Sequence, residues 1–312
     1  MRIIFIGTGE IGVPSLRALF QSEAHELVGV VTQPDRPVGR DQQMQVPPIK
    51  RESATAGLPI LQPERIRAAE AVAQLRALAP DLIVVMAYGQ ILPQDVLEIP
   101  AIACLNLHAS LLPRHRGAAP IQGAIAAGDT ETGITVIYMD EGLDTGDILL
   151  QKKLPILPDQ TGGSLHDRLA ELAPDALLSA LGQLDQRCAT RTPQDSSRAT
   201  YAPKLTRAAG RIDWSESAET IERKIRAYDP WPGAFTDLAD SSGKTRHLKI
   251  FRGAVTRQEL GAPGTLVRPN ESEVFIATGH GALRLDKVQL EGKRRMSVAD
   301  FLRGFSSPRL HF

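Results

Sequence analysis

Between residues 1 and 185, short continuously apolar runs alternate with stretches whose apolar positions recur at helical spacing. Ile3-Ile4-Phe5-Ile6 predicts a buried strand, followed by Gly7-Thr8-Gly9 and a helix beginning near Pro14. Leu27-Val28-Gly29-Val30-Val31 and Leu82-Ile83-Val84-Val85-Met86 predict two further strands, and residues 102–107 a fourth. Between the second and third, Ala71, Val72, Leu75 and Leu78 share one face of a helix over 70–79. Apolar strands without alternation, separated by helices, imply a mostly parallel sheet covered on both faces. Residues 133–138 and 148–150 predict a later hairpin, and a helix from 164 to about 184 closes the α/β domain. The reading is a Rossmann-like sheet over residues 1–189.

From 187 to 209 the pattern gives way to Thr, Pro, Gln, Asp, Ser and Arg, which is linker composition. The linker is set at 190–208. Beyond it, Ile221, Lys224 and Ile225 sit near the middle of one amphipathic helix. After Pro230-Trp231-Pro232-Gly233 come short apolar runs at 248–251, 264–267, 274–277 and 283–285, with Gly and Pro between them. That spacing predicts a small β-barrel domain over 209–312. No internal repeat is present.

Composition changes this picture in one respect only. The 312 residues carry 36 Lys and Arg against 36 Asp and Glu, and such neutrality argues against a nucleic-acid binder. Yet residues 1–203 hold 17 basic against 23 acidic side chains, while 204–312 hold 19 against 13. The neutrality is a cancellation, and the second part is basic enough to hold a polyanion. Two cysteines, Cys104 and Cys188, give neither a disulfide framework nor a zinc ribbon. The four apolar residues before Gly7 are too few for a signal-peptide core, and no apolar run approaches the ~18 residues of a membrane span. A cytoplasmic protein without a membrane partner is expected.

Gly7-x-Gly9-x-x-Gly12 has the spacing of a dinucleotide fingerprint. The acidic residue that should close the second strand is missing: Val31-Thr32-Gln33-Pro34 precedes Asp35. A tight strand-to-helix turn that needs glycine for steric reasons is the preferred explanation, and a dehydrogenase is a remote third reading.

The segment Asn106-Leu107-His108 carries more chemistry. Strand side chains alternate, so Asn106 and His108 point to one face at the carboxyl end of a predicted parallel strand, where ligands of open α/β sheets bind. An amide donor for a developing oxyanion beside a neutral-pH proton carrier suits acyl transfer. A strand-end histidine that merely satisfies its own hydrogen bonds competes with that explanation. A carboxylate is expected to orient the imidazole, and Asp140, Glu141, Asp144 and Asp147 all stand in one turn. Spacing does not choose among them.

Residues 110–122 read SLLPRHRGAAPIQ and 142–147 read GLDTGD. With TQPDRPVGR (32–40), TYAPKL (200–205), RIDW (211–214), DPWPG (229–233) and KRRMSVADFL (293–302), they cover nearly the whole chain. The sequence resembles the methionyl-tRNA formyltransferases. The resemblance implies the formyltransferase fold followed by an oligonucleotide-binding (OB-like) barrel. It implies transfer of a formyl group from 10-formyltetrahydrofolate to the amino group of initiator methionyl-tRNA, through a tetrahedral oxyanion. It places Asn106, His108 and Asp144 at the catalytic positions and Ser110, Leu111, Leu112 and Pro113 in the folate-contacting stretch. Met86-Ala87-Tyr88-Gly89 matches the pterin pocket wall, with Tyr88 and Gly89 as contacts. No metal is implied, because the donor is already an activated amide. A monomer is expected.

Loop 34–50 resembles the family's tRNA-sensing insertion but lacks its extra lysines, reading Arg40-Asp41-Gln42-Gln43. Arg40 is its candidate tRNA contact. His115 stands where the family more often has an aromatic. Lys204, Arg207 and Arg211 are candidate tRNA contacts at the start of the second domain, and Lys293-Arg294-Arg295 is a further basic run near its end. A folate-dependent formyltransferase of a small amine, such as an amino sugar nucleotide, is the alternative enzyme. A nucleic-acid-binding module with a degenerate enzyme domain is the alternative of another class.

Overall fold

The computed structural model describes residues 1–38, 42–239, 245–304 and 309–311. The chain divides into two compact units, the first formed by residues 1–120, 131–155 and 166–202, the second by 121–130, 156–165 and 203–312. In chain order the elements to residue 185 are β1 (Arg2–Gly7), α1 (Val13–Phe20), β2 (Glu26–Val31), β3 (Arg36–Val38), β4 (Gln43–Gln45), α2 (Pro48–Ser53), β5 (Ile60–Leu61), α3 (Ala69–Ala77) and β6 (Leu82–Met86). There follow α4 (Gln94–Leu97), β7 (Ala103–His108), α5 (Pro120–Ala127), β8 (Glu131–Tyr138), β9 (Ile148–Pro155) and α6 (Gly162–Asp185).

The first unit is built on a seven-stranded sheet of order β5-β2-β1-β6-β7-β8-β9. The five strands from β5 to β7 are parallel, and β8 and β9 are added antiparallel. Ile3, Ile4, Phe5 and Ile6 of β1, like Leu82, Ile83 and Val84 of β6, are wholly buried, so neither strand shows polar alternation. From β1 the chain crosses to β2 on one side and later returns to β6 on the other. Ligands of open α/β sheets bind outside the strand ends at such a switch point.

Strand β9 runs five residues beyond the stretch that the apolar pattern marks. Gln151, Lys152 and Lys153 occupy its continuation along the open edge, where exposed charge is ordinary. Strand β5, only two residues long, has no pattern of its own and exists through its pairing with Val30 and Val31.

The glycines at the first turn behave as steric requirements. A Cβ on Gly7 would come within 2.8 Å of Met86 O and of the Phe5 ring, and one on Gly12 within 3.3 Å of the same ring. Asp35 is already engaged, accepting from Lys50 Nζ and Gln62 Nε2, each at 2.8 Å. These bonds, the one from Lys50 first, hold its carboxyl below the ordinary range.

The second unit contains α7 (Ala218–Ala227), β10 (Ala234–Ala239), β11 (Thr245–Thr256), β12 (Leu266–Val267), β13 (Phe275–Ala277), β14 (Ala282–Leu290), β15 (Met296–Ser297), α8 (Val298–Gly304) and β16 (Arg309–His311). Its sheet has order β12-β13-β14-β11-β10-β16, with β15 on β14, and all pairings are antiparallel. Ser217 caps α7 by accepting from Thr220 N at 3.2 Å. Ile221 and Ile225, one turn apart, then bury against the core around Trp214, whose Nε1 donates to Thr236 Oγ1 at 3.1 Å. Strand β10 escapes the sequence pattern because Thr236 and Asp237 are polar yet buried, each satisfied by a partner.

Two glycines should separate cleanly in denaturant unfolding. A Cβ on Gly133 would lie 2.0 Å from Lys152 O and 2.8 Å from Leu111 Cδ2, so Gly133→Ala must displace β9. A loss of roughly 2 kcal/mol is expected, the size typical of overpacking. Gly9 has open space and an extended backbone, and Gly9→Ala should stay within about 0.5 kcal/mol.

Candidate active site

A cleft of ≈ 500 Å³ opens at the carboxyl ends of β6 and β7. Residues 85–92 form one wall, 106–109 the floor, and 117–118 with 139–140 and 142–144 the facing side. Its apolar surface comes from side chains such as Ile11, Met86, Leu92, Ile137 and Met139. Strained backbone collects around it. Ala87, His115 and Asp144 are non-glycine residues with φ of 50°, 60° and 55°, and Gly89 and Gly117 also have positive φ. Such conformations persist only where surrounding contacts hold them.

Asn106 and His108 leave β7 on one face, as their spacing requires. Of the four acids in the following turn, Asp144 is the one whose carboxylate reaches them. Its Oδ1 accepts from Asn106 Nδ2 at 3.3 Å, and its Oδ2 lies 3.6 Å from His108 Nδ1. The Gly117 amide donates to the same Oδ2 at 2.8 Å. Asp140 instead closes its own turn, accepting from Gly142 N and Thr145 Oγ1. His108 is 5 % exposed, and its Nε2 lies 2.9 Å from the carbonyl oxygen of His115. A carbonyl only accepts, so Nε2 carries a proton and Nδ1 is the ring nitrogen turned to Asp144.

The loop after β7 is held from beneath by groups that the sequence did not single out. Thr135 Oγ1 donates to Ser110 O at 2.6 Å and accepts from Leu112 N at 3.1 Å. Gln151 Nε2 donates to Leu112 O and Thr135 Oγ1, both at 2.9 Å. Ser110 Oγ closes the loop on Arg114 O at 2.7 Å. These are short-range consequences of strand register: Thr135 lies opposite His108, and Gln151 opposite Thr135. No one-dimensional signal marks them.

Ser110, Leu111, Leu112 and Pro113 are not among the residues that line the cleft, whose boundary passes from Ala109 to Gly117. Tyr88 and Gly89 do line it. The Tyr88 phenol, however, packs in the core beside Ile4, Val31 and Val85, its Oη has no hydrogen-bond partner among the described residues, and burial pushes its pKa to about 12. Its carbonyl accepts from Thr8 Oγ1 at 2.9 Å, fixing the wall.

Arg40 lies outside the described residues. Lys204 and Arg207 are exposed. Arg211 is half-exposed but paired with Asp237, which also bonds His247. Arg295 is likewise committed, 3.3 Å from Asp229 and stacked 3.4 Å over the Phe251 ring. Among the described residues no group of three or more His, Cys, Asp or Glu side chains is arranged to hold a metal. No helix among them is long and apolar enough to cross a membrane.

A family profile described as "Formyl transferase" matches residues 1–181, and one described as "Formyl transferase, C-terminal domain" matches 204–306. The methionyl-tRNA formyltransferase of Akkermansia muciniphila is 49 % identical over 314 aligned positions, covering 100 % of this chain and 99 % of that one. That of Marinobacter nauticus is 47 % identical, covering 97 % and 96 %. Among solved structures, an N-formyltransferase from Helicobacter canadensis, in complex with folinic acid and dTDP-3-aminofucose, superposes with a TM-score of 0.64 at 15 % identity. It covers 94 % of this chain and 99 % of that one, and shows the shared fold.

The Arg211–Asp237 pair gives the second unit an acid-sensitive element. Burial alone would raise the Asp237 carboxyl, but bonds from Arg211 and His247 outweigh it and hold it below the ordinary 3.8. A depressed carboxylate contributes stability that is complete above the unfolded value and is lost as pH falls through the folded one. Asp237→Asn should therefore lower the melting temperature at pH 6. The difference from the parent should shrink as thermal melts are repeated from pH 4 down to pH 2.5.

Proposed function

The chain belongs to the methionyl-tRNA formyltransferase family, and on that premise we propose that it moves the formyl group of 10-formyltetrahydrofolate to the α-amino group of initiator methionyl-tRNA. The observation that carries the chemistry is the Asp144 carboxylate lying against both Asn106 and His108 at the floor of the cleft. The small-amine alternative rests on neighbours such as the Helicobacter enzyme at 15 % identity, a likeness of fold alone.

A cleft of ≈ 500 Å³ with apolar walls suits a flat heterocycle, within the ~300–1,000 Å³ usual for small-molecule sites. The backbone of 86–89 and the neighbouring 110–113 loop are the parts assigned to hold it. When bound, the folate supplies an activated N-formyl group. The incoming α-amine must be neutral to attack, and such amines titrate near about 8. Asn106 Nδ2 spends one N–H on Asp144, which fixes the amide plane, and keeps a second for the oxyanion that builds on the formyl oxygen. His108 keeps its Nε2 proton on the His115 carbonyl, so Nδ1 is the atom assigned to take the proton from the attacking nitrogen. Asp144 Oδ2, 3.6 Å away, balances the charge until the proton passes on to folate N10, whose bond to the formyl carbon breaks as the oxyanion collapses.

The tRNA is assigned to the basic second part of the chain, with Lys204, Arg207 and Arg211 as contacts, and to Arg40 of loop 34–50. Lys204 and Arg207 are the more available pair, since Arg211 would have to share its guanidinium with Asp237. The working domain limits are a catalytic domain at 1–189, a connection at 190–208 and a tRNA-binding OB-like domain at 209–312. The protein is expected to act as a monomer in the cytoplasm.

Asn106→Ala should lose on the order of 3 kcal/mol of transition-state stabilisation, about 100-fold in kcat at saturating substrates, as other lost oxyanion donors do. Wild-type turnover in that variant, or in His108→Ala, would remove the assignment. Raising salt from 50 to 200 mM should raise KM for the tRNA at least tenfold while KM for the folate changes little. Lys204→Ala and Arg207→Ala should each make that salt dependence shallower.

A further inference from the structure

We propose that Gln194 is a positioning residue for Asp144, and that residues 191–202 form a strap holding the two loops of the site against each other. The inference rests on the role given to Asp144 above.

This polar stretch reads as linker, yet among the described residues its bonds to the rest of the first unit fall on loop 113–119 or on segment 138–148. The Arg191 guanidinium sits 3.8 Å over the Tyr138 ring. Thr192 exchanges backbone bonds with Ile148 at 2.8 and 2.9 Å. Thr200 Oγ1 accepts from His115 N at 2.8 Å, and Thr200 O accepts from Arg116 N at 2.8 Å. Ala202 N donates to Arg116 O at 2.8 Å.

Gln194 lies between the two groups of contacts and joins them. Its Nε2 donates to Asp144 O and to Gly146 O, both at 2.8 Å. Its Oε1 accepts from Arg116 Nε at 3.2 Å and Nη2 at 2.7 Å. The amide orientation is fixed by chemistry, because two carbonyls can only accept and a guanidinium can only donate. No other side chain of this length offers both functions. Arg116 is 3 % exposed, so its charge is kept from water and depends on that amide oxygen.

The reason for such a clamp is local. Asp144 has a φ of 55°, a left-handed backbone that an aspartate adopts at a cost. Gln194 tethers that backbone through the carbonyl, while Gly117 N fixes the carboxylate from the opposite loop. Carbonyl and carboxylate are thus held from two directions, and the carboxylate has one position between Asn106 and His108. Displacement by about 1 Å at a reacting centre is enough to cost on the order of 100-fold in rate.

The test uses the full-length protein. Gln194→Glu keeps length and the bond from Arg116 but sets a carboxylate oxygen against two carbonyls, and Gln194→Met removes all four bonds with little change in volume. Both should lower kcat by about 10- to 100-fold with KM for the formyl donor within about threefold. Neither should cost anything further in an Asp144→Ala background, since residues acting as a unit are not additive. The Gly117 amide, which reports on the carboxylate, should exchange with deuterium about tenfold faster in both variants. The proposal is overturned if kcat stays within twofold, if the loss recurs in full on Asp144→Ala, if activity falls only in step with melting temperature, or if Gly117 exchange is unchanged. An unaltered protein that fails to formylate methionyl-tRNA would instead remove the functional reading, and Gly117 exchange would still decide the positioning role.

Discussion

Asp144 holds the candidate site together through a carboxylate that receives one bond from a strand side chain and another from a loop amide, and that lies within ion-pair reach of a buried imidazole. A carboxylate in that position, 13 % exposed at its side chain, needs donors on several sides. The Gly117 amide can serve only because its own φ of 111° is open to glycine, and a Cβ there would meet Ala202 O at 2.8 Å. The left-handed backbone of Asp144 itself turns the side chain back toward β7. Each of these conformations would be unstable alone, and together they define a single arrangement.

The sheet supplies the frame on which this depends. Because β1 and β6 are buried on both faces, their residues have no room for chemistry, and polar groups emerge only where the strands end. β7 is the exception inside the sheet: Asn106 and His108 sit on it directly and inherit its rigidity. The antiparallel pair β8–β9 then extends the sheet past β7 and brings Thr135 and Gln151 under the loop that follows it. A site carried by a strand and buttressed by the next two is held more firmly than one built from loops alone.

The second unit shows why a count of basic residues overstates what is available to a polyanion. Arg211 and Arg295 are both half-exposed, yet each has an acidic partner, and Arg295 also covers an aromatic ring. In each pair the carboxylate is largely buried, and the half-exposed guanidinium is held against it. The net charge of 204–312 describes the field, and the pairing of individual guanidiniums decides which of them meet a ligand.

From sequence alone the parallel sheet, the short strands of the second part and the polar pair on β7 were legible, because each leaves a periodic trace: uninterrupted apolar runs for buried strands, and a two-residue spacing for Asn106 and His108. The glycine motif was legible too, once the missing acid after β2 was weighed, and Gly7 and Gly12 do answer to sterics. Spacing left four acids open and the family resemblance named Asp144; the contacts its carboxylate makes, the Nε2 proton of His108, the polar but buried β10, and the engagement of residues 191–202 with segments 113–119 and 138–148 were decided by tertiary structure. They depend on which backbone atoms of distant segments face one another, and such pairings leave no period in the chain. A glutamine that donates to two carbonyls and accepts from a guanidinium looks, in one dimension, like any other residue of a polar connection.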